Sequence, residues 1–304
     1  MNGVSPATPR LSVCIPTRDR PRDLERCIRS ILAQRVRPDE ILVIDDGNLE
    51  VEPVRSLVEP HVPFRYFKKE KPSLSASKNL AVTAASHPLL LILDDDTVLL
   101  GDFIGNVLKR FAQDREGRLA AVGAIIENAK PKSRFETLFL KLFLIDTGGR
   151  GRILPWAFQC GFWNITGDTY VDWVPGGASC FRTAVLRRHR YQEFQGGRNN
   201  LEDIEHGWKI SREYKMMISP ACRLLHLESP LGREAMFETG YKLGYNRCWI
   251  FRSLARKNLR NRLALVWALM GQALGMLGTA RPAMALGILS GALAFLKDGA
   301  GGKR

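Results

Sequence analysis

Short apolar runs recur along the first 130 positions and alternate with stretches of helical period. LSVCIP (11–16), EILVID (40–45), PLLLIL (88–93) and LAAVGAII (119–126) are apolar almost throughout, which predicts strands covered on both faces. VPFRYF (62–67) predicts a further, more exposed strand. Residues 21–34 put Leu24, Ile28, Ile31 and Leu32 on one helical face, with Pro21 in the first turn. Residues 73–86 and 101–112 predict two more helices. Strands alternating with helices predict an α/β fold: a mostly parallel sheet with helices on both faces.

Beyond residue 130 the pattern loosens. Residues 145–180, rich in Gly and aromatic side chains, read as loops around a site. A helix is expected over 201–213, with Asn199–Asn200 as caps, then a short strand at MMISP and a long helical stretch from about 232 to 258. Arg247 to Arg262 holds six basic residues and no acidic one. Residues 263–280 and 283–296 then carry no charge, with Arg281–Pro282 between them. Eighteen residues is the short limit for a membrane span. Gly271/Gly275 and Gly287/Gly291 suit close helix packing. This tail is expected to form a helical hairpin that inserts shallowly or re-enters at an anionic cytoplasmic leaflet. The alternative is a helix pair packed on the domain or on a second subunit. The expected division is a catalytic domain over 1–230 and a C-terminal helical, basic and apolar, membrane-associating region over 231–304.

Charge narrows the partners. The 304 residues include 45 Lys and Arg against 31 Asp and Glu, a net charge of +14. That favours anionic partners. Nucleic acid is disfavoured, because the basic residues gather beside apolar helices and no recognition module is present. The six cysteines have no metal-ligand spacing, and a disulfide framework is not expected in a chain this long. Both point to a reducing compartment. MNGVSPATPR has no apolar core of a secretory signal.

The chemistry gathers at LILDDDTVL (91–99). Asp94 and Asp96 are two apart, so on continued strand geometry they share a side and Asp95 opposes them. Carboxylates at the carboxyl end of a parallel strand sit where such sheets bind ligands. A hard divalent cation, Mg²⁺ or Mn²⁺, would neutralise them and take further ligands from substrate phosphates. The alternative is a solvated turn. Asp45–Asp46 also ends a strand, where a carboxylate can accept from a base N–H or ribose hydroxyls. Which of the two does so is left open.

Six motifs in order, SVCIPTRDR (12–20), ILVIDDG (41–47), SLSASKNLAVTAA (73–85), LILDDDTVL (91–99), VPGGASCFR (174–182) and NLEDIEHGWKI (200–210), make the chain resemble a family 2 glycosyltransferase of the GT-A fold. The resemblance covers about residues 10–230, with a nucleotide-binding half over about 10–100 and an acceptor half over about 101–230. It implies that Pro16, Thr17 and Arg18 contact the nucleoside, that the Asp45–Asp46 position binds the base, and that Asp95 belongs to the donor site. It implies that Lys78, where the family usually has Arg, offsets donor phosphate charge. Asp94 and Asp96 would hold the metal, with His226 completing it or serving only as a structural residue. Asp203 would be the base that deprotonates the acceptor hydroxyl, with Glu202 supporting it, or the two exchanged. Gly176–Gly177 would let backbone approach a sugar, or make a tight turn. Trp156, Trp163 and Trp173 would stack on an acceptor or simply pack. Processive synthases of the family carry Gln-x-x-Arg-Trp after the acid pair. Asn246-Arg247-Cys248-Trp249 lacks that spacing, which implies single additions. The expected activity is inverting, metal-dependent transfer of one sugar from a nucleotide-sugar to a hydroxyl of a lipid-linked or polysaccharide acceptor. Rival readings are a nucleotidyltransferase and a non-catalytic, membrane-tethered nucleotide-sugar binding protein. The oligomeric state is left open.

Overall fold

The computed structural model describes residues 9–162, 164–194, 200–229 and 234–300. Trp163 and Asn199 lie outside the described residues. The chain runs β1 (Leu11–Thr17), α1 (Pro21–Leu32), β2 (Glu40–Asp45), α2 (Val51–Val58), β3 (Phe64–Lys68), α3 (Leu74–Ala84), β4 (Leu89–Leu93), β5 (Thr97–Leu100), α4 (Phe103–Gln113) and β6 (Leu119–Ile126). It continues with α5 (Arg134–Leu142), β7 (Thr169–Val171), β8 (Ala178–Arg182), α6 (Thr183–Arg188), α7 (Glu202–Ile210), β9 (Lys215–His226), α8 (Met236–Leu254), α9 (Leu259–Gly278) and α10 (Pro282–Ala300).

The strands form one sheet in the order β3-β2-β1-β4-β8-β6-β9-β5, with β7 also paired to β9. β3, β2, β1 and β4 are parallel, as the apolar runs lead one to expect. The other half is mixed: β8 runs antiparallel between β4 and β6, β6 and β9 are parallel, and β5 and β7 run against β9. Successive side chains of the central strands serve opposite faces. Leu11, Val13 and Ile15 join one core with α1, α2 and α4, while Cys14 joins the other with α3 and α6. Leu89, Leu91 and Leu93 divide from Leu90 and Ile92 in the same way.

α3 starts where Ser73 Oγ accepts from Ala76 N at 3.3 Å. α2, which the apolar pattern does not announce, buries only Val54 and Val58 and carries Pro53 in its first turn, where a missing N–H costs nothing.

The C-terminal helices close a third core. Leu154, Phe158, Phe194 and Ile204 pack there with Cys248 and Phe251 of α8, Leu265 and Leu269 of α9, and Ile288 and Phe295 of α10. α8 and α10 meet through glycines: a Cβ at Gly244 would lie 2.0 Å from Ile288 O, and one at Gly291 2.0 Å from Tyr241 O. Gly271 instead sits under the Phe143 ring, after α5. No helix among the described residues is long and apolar enough to cross a membrane.

Candidate active site

The aspartate triplet is the link between β4 and β5, at the carboxyl end of the parallel half of the sheet. Asp94 N donates to Gly177 O at 2.9 Å, and Thr97 Oγ1 donates to Asp94 O at 2.7 Å, which holds the turn. The three side chains then reach different partners. Asp94 lies against Gly177, where a Cβ would come within 2.0 Å of its carboxyl carbon. Asp95 accepts from Thr17 Oγ1 at 2.7 Å and from Arg20 at 3.1 Å. Asp96 meets His226 Nε2 at 3.1 Å and accepts from Ser229 N at 2.9 Å. Arg20 also comes within 3.7 Å of Asp96. Ligating atoms of Asp94, Asp96 and His226 all lie within 4.8 Å of one another.

Repulsion within the triplet is thus met by Arg20, His226 and backbone N–H groups rather than by solvent. Burial pushes Asp94 above the ordinary carboxylate range and pushes Asp95 up to about 6. Burial also acts on Asp96, but the hydrogen bond and charge of His226, the hydrogen bond from Ser229 N and the Arg20 charge together outweigh it and hold Asp96 low. The same hydrogen bond raises His226.

A cavity of about 420 Å³ opens over the triplet. Pro16, Thr17 and Arg18 at the end of β1 line it, as does Asp46. Asp45 does not. It is fully buried and accepts from Gly47 N, Leu49 N, Tyr66 Oη and Lys68 Nζ at 2.7 to 3.2 Å. Asp46 faces the cavity, oriented by Lys69 at 2.7 Å and by Ser73 N and Ser77 Oγ at 3.0 Å. Arg20, Ser73, Glu228 and Ser229 also line the cavity and were not anticipated as site residues. Arg20 lies within the first motif, so the signal was present. Glu228 and Ser229 merely follow His226, with nothing in their spacing to mark them.

Lys78 stands elsewhere than a phosphate-facing role implies. It is 1% exposed, and its Nζ donates to Glu202 Oε1 at 3.0 Å and lies 5.1 Å from the centre of the Tyr191 ring. Burial, the largest single influence, works against each charge of this pair, but the partner together with further nearby charges and hydrogen bonds reverses it: Lys78 is held above its ordinary pKa and Glu202 below. Asp203, next in the chain and half-buried, is pushed up to about 7, first by burial and then by the Glu202 charge.

The Gly176–Gly177 loop joins the two groups. A Cβ at Gly176 would lie 2.7 Å from Lys78 Nζ and 3.3 Å from Asp203 Cβ, while Gly177 faces Asp94. The space a side chain would take is filled by the site's own charged groups. Trp156 and Trp173 are packing residues that donate to Leu144 O at 2.7 Å and Cys160 O at 3.0 Å. Arg247 of α8, 2% exposed, donates to Ala157 O and Gln159 Oε1, and its charge reaches Asp203.

The sequence profile of Glycosyl transferase family 2 matches residues 12–170, more than half of the chain. The chain belongs to glycosyl transferase family 2. Among curated proteins, it is 32% identical over 101 residues to an uncharacterized glycosyltransferase of Rickettsia felis, which is 33% of this chain and 17% of that one. It is 31% identical over 106 residues to the GalNAc(5)-diNAcBac-PP-undecaprenol beta-1,3-glucosyltransferase of Campylobacter jejuni, 34% of each. The chain thus spans 17% and 34% of the length of these two relatives. Among solved structures, the mannosyltransferase PcManGT from Pyrobaculum calidifontis, in complex with GDP-Man and Mn²⁺, aligns with a TM-score of 0.59 at 16% identity, over 97% of this chain and 89% of that one. GalNAc-T7 with UDP, GalNAc and Mn²⁺ aligns at 0.57 and 15%, over 79% and 48%. These likenesses show the family 2 chain to have the GT-A fold.

Proposed function

We propose that this chain transfers a single sugar, with inversion, from a nucleotide-sugar to a hydroxyl of a lipid-linked or polysaccharide acceptor, at the cytoplasmic surface of a membrane. The observation that carries this reading is one loop. Gly177 lies on Asp94 of the Asp94–Asp96–His226 cluster, and Gly176 lies on Asp203 and on Lys78 of the Lys78–Glu202 pair, so the two groups flank one reaction space.

The donor set suits a divalent cation. Two carboxylates and an imidazole converge, and the oxygen-and-nitrogen set fits Mn²⁺ better than Mg²⁺. Asp94, Asp96 and His226 would hold the ion. When bound, it would offset the negative charge of the departing nucleoside diphosphate. The Mn²⁺ of the two aligned structures supports the same choice.

The protein's own groups supply the rest. Pro16, Thr17 and Arg18 hold the nucleoside, and Asp46, already oriented by three donors, accepts from the base or ribose. Asp45 only braces the loop that follows β2. Asp95 binds Thr17 and Arg20 and so orients the end of β1. Asp203 takes the proton of the acceptor hydroxyl as the new bond to the anomeric carbon forms. Its raised pKa places it where a base is effective near neutrality. Glu202, kept ionised by Lys78, sustains that shift. The sugar–diphosphate bond breaks, the diphosphate leaves with the bonding electrons, and the proton stays on Asp203 until solvent removes it.

An acceptor on a lipid diphosphate is supported by the name of the Campylobacter jejuni relative and by the exposed leucines of α9 and α10. The test is turnover of a panel of nucleotide-sugars with Mn²⁺. Asp96→Ala and Asp203→Asn should each lose transfer, with Asp203→Asn keeping donor binding. Near-normal transfer by both variants ends the assignment.

A further inference from the structure

α5 is unusual in having no buried residue along its nine positions. Phe135, Leu138 and Leu142 are 79, 66 and 60% exposed and form an outward stripe at helical spacing. One side of the stripe is bounded by α9: the Phe143 ring stacks 4.9 Å from that of Trp267, and Trp267 Nε1 donates to Leu142 O at 2.8 Å. α9 extends the stripe with exposed Leu263, Val266, Met270 and Leu274, three and four residues apart. Arg256, Lys257, Arg260 and Arg262 stand exposed at its start.

The other side of the stripe borders a cavity of about 340 Å³ behind Thr137 and Lys141. Lys132 and Arg150 also line it, and Asp146 is its one carboxylate. Asp146 is already engaged, by Lys132 at 3.5 Å and by the N–H groups of Gly148 and Gly161. Lys141 and Arg150 have no ion pair among the described residues. With Lys132 set against Asp146, Lys141 and Arg150 leave the cavity with uncompensated positive charge, which makes an anion site. A neighbouring cavity of about 220 Å³ shares Lys132 and Asp146 and continues to Trp173 and Arg247. Trp173 presses on α7 at Gly207, and the Arg247 charge reaches Asp203. Shared lining residues thus connect the stripe to the cationic cavity, and the buried Arg247 lies between the second cavity and the charge of Asp203.

We propose that this series seats an amphipathic acceptor, with its diphosphate among Lys132, Lys141 and Arg150, its hydrocarbon chain on α5 and α9, and its saccharide end toward Asp203. This rests on the lipid-linked acceptor reading above. Charge chooses the occupant: a second protein would match the leucines without needing Lys141 and Arg150, which lack ion pairs among the described residues, at their edge.

The test uses the full chain and co-sedimentation with phosphatidylcholine vesicles carrying geranylgeranyl diphosphate. Control vesicles carry the same charge as phosphatidylglycerol, and inorganic pyrophosphate is the lipid-free competitor. Diphosphate vesicles should bind best. Lys141→Glu with Arg150→Glu should weaken that binding at least about tenfold, and Phe135→Ser with Leu138→Ser comparably, since each surface cation and each buried apolar side chain contributes to such attachment. All four positions are exposed, so melting temperature and the Mn²⁺-dependent stabilisation by nucleotide-sugar should stay unchanged, and they report on the donor reading separately. Undiminished vesicle binding by either double variant overturns the proposal. So does equal recruitment to the phosphatidylglycerol vesicles, which would mean a general anionic surface rather than a seat. Full displacement by pyrophosphate at equal concentration would remove the hydrocarbon chain from it.

Discussion

Asp203 and Lys78 are the side chains on which single substitutions bear most directly. Asp203 is pushed up to about 7 by burial and by the Glu202 charge. A base with that pKa is protonated below it, so kcat/KM should climb through about pH 7 and level above it. Asp203→Asn should remove the climb and about a hundredfold or more of the rate, the share general bases commonly supply. A flat profile in the unaltered protein would contradict the role. Stability runs the other way. The folded chain binds this proton more tightly than the unfolded chain does, so the Asp203 contribution is complete below the unfolded carboxylate range and is lost as pH rises through about 7. Lys78→Met leaves Glu202 buried without its partner and should cost about 3–5 kcal/mol in urea unfolding. Adding Glu202→Gln should recover a large part of that, because the stranded charge, not the missing contact, dominates the loss. Gly177→Ala would drive a methyl onto the Asp94 carboxylate, so its Mn²⁺ dependence should shift to higher metal concentration at a fold cost of about 1–3 kcal/mol.

Helix packing gives a sign test. Gly→Ala inside an exposed helix stabilises by up to about 1 kcal/mol through propensity. At Gly244 the added methyl would meet Ile288 O at 2.0 Å, and backbone on an adjoining helix cannot rotate away. Gly244→Ala should therefore lower the melting temperature, whereas at Gly278, where nothing lies within 4 Å, the same change should not. The Gly287/Gly291 spacing announced this close approach in the sequence, but not its partner, which proved to be α8 rather than lipid or a second subunit. Long apolar runs made β1, β2, β4 and β6 readable, because a strand covered on both faces needs apolar residues at every position. Strand direction was not readable in the second half: β8 owes its antiparallel place between β4 and β6 to contacts far apart in the chain. α5 went unnoticed because its apolar residues face outward and bury nothing.

Across the molecule, the motifs pointed to carboxylates, most of which the fold gathers on either side of the Gly176–Gly177 loop, but not to what holds them. Asp45 and Asp46 are adjacent and chemically alike, and only the turn at Gly47 decides that one is spent on backbone and the other faces the cavity. Lys78 looked like a phosphate ligand because a surface lysine and a buried one read identically in sequence. The basic excess and the apolar tail were plain from composition, whereas the cationic cavity beside α5 needed residues 132, 141 and 150 to meet in space.

The shared wall at Gly176–Gly177 has a kinetic corollary. On the proposed roles, a ligand that reorients Asp94 would move the peptide at Gly177 and with it Gly176, which leaves no more than van der Waals room beside Asp203, so the acceptor side should be completed only after the diphosphate side is filled. Steady-state patterns should then be sequential and ordered, with the nucleoside diphosphate leaving last and inhibiting competitively against the sugar donor alone.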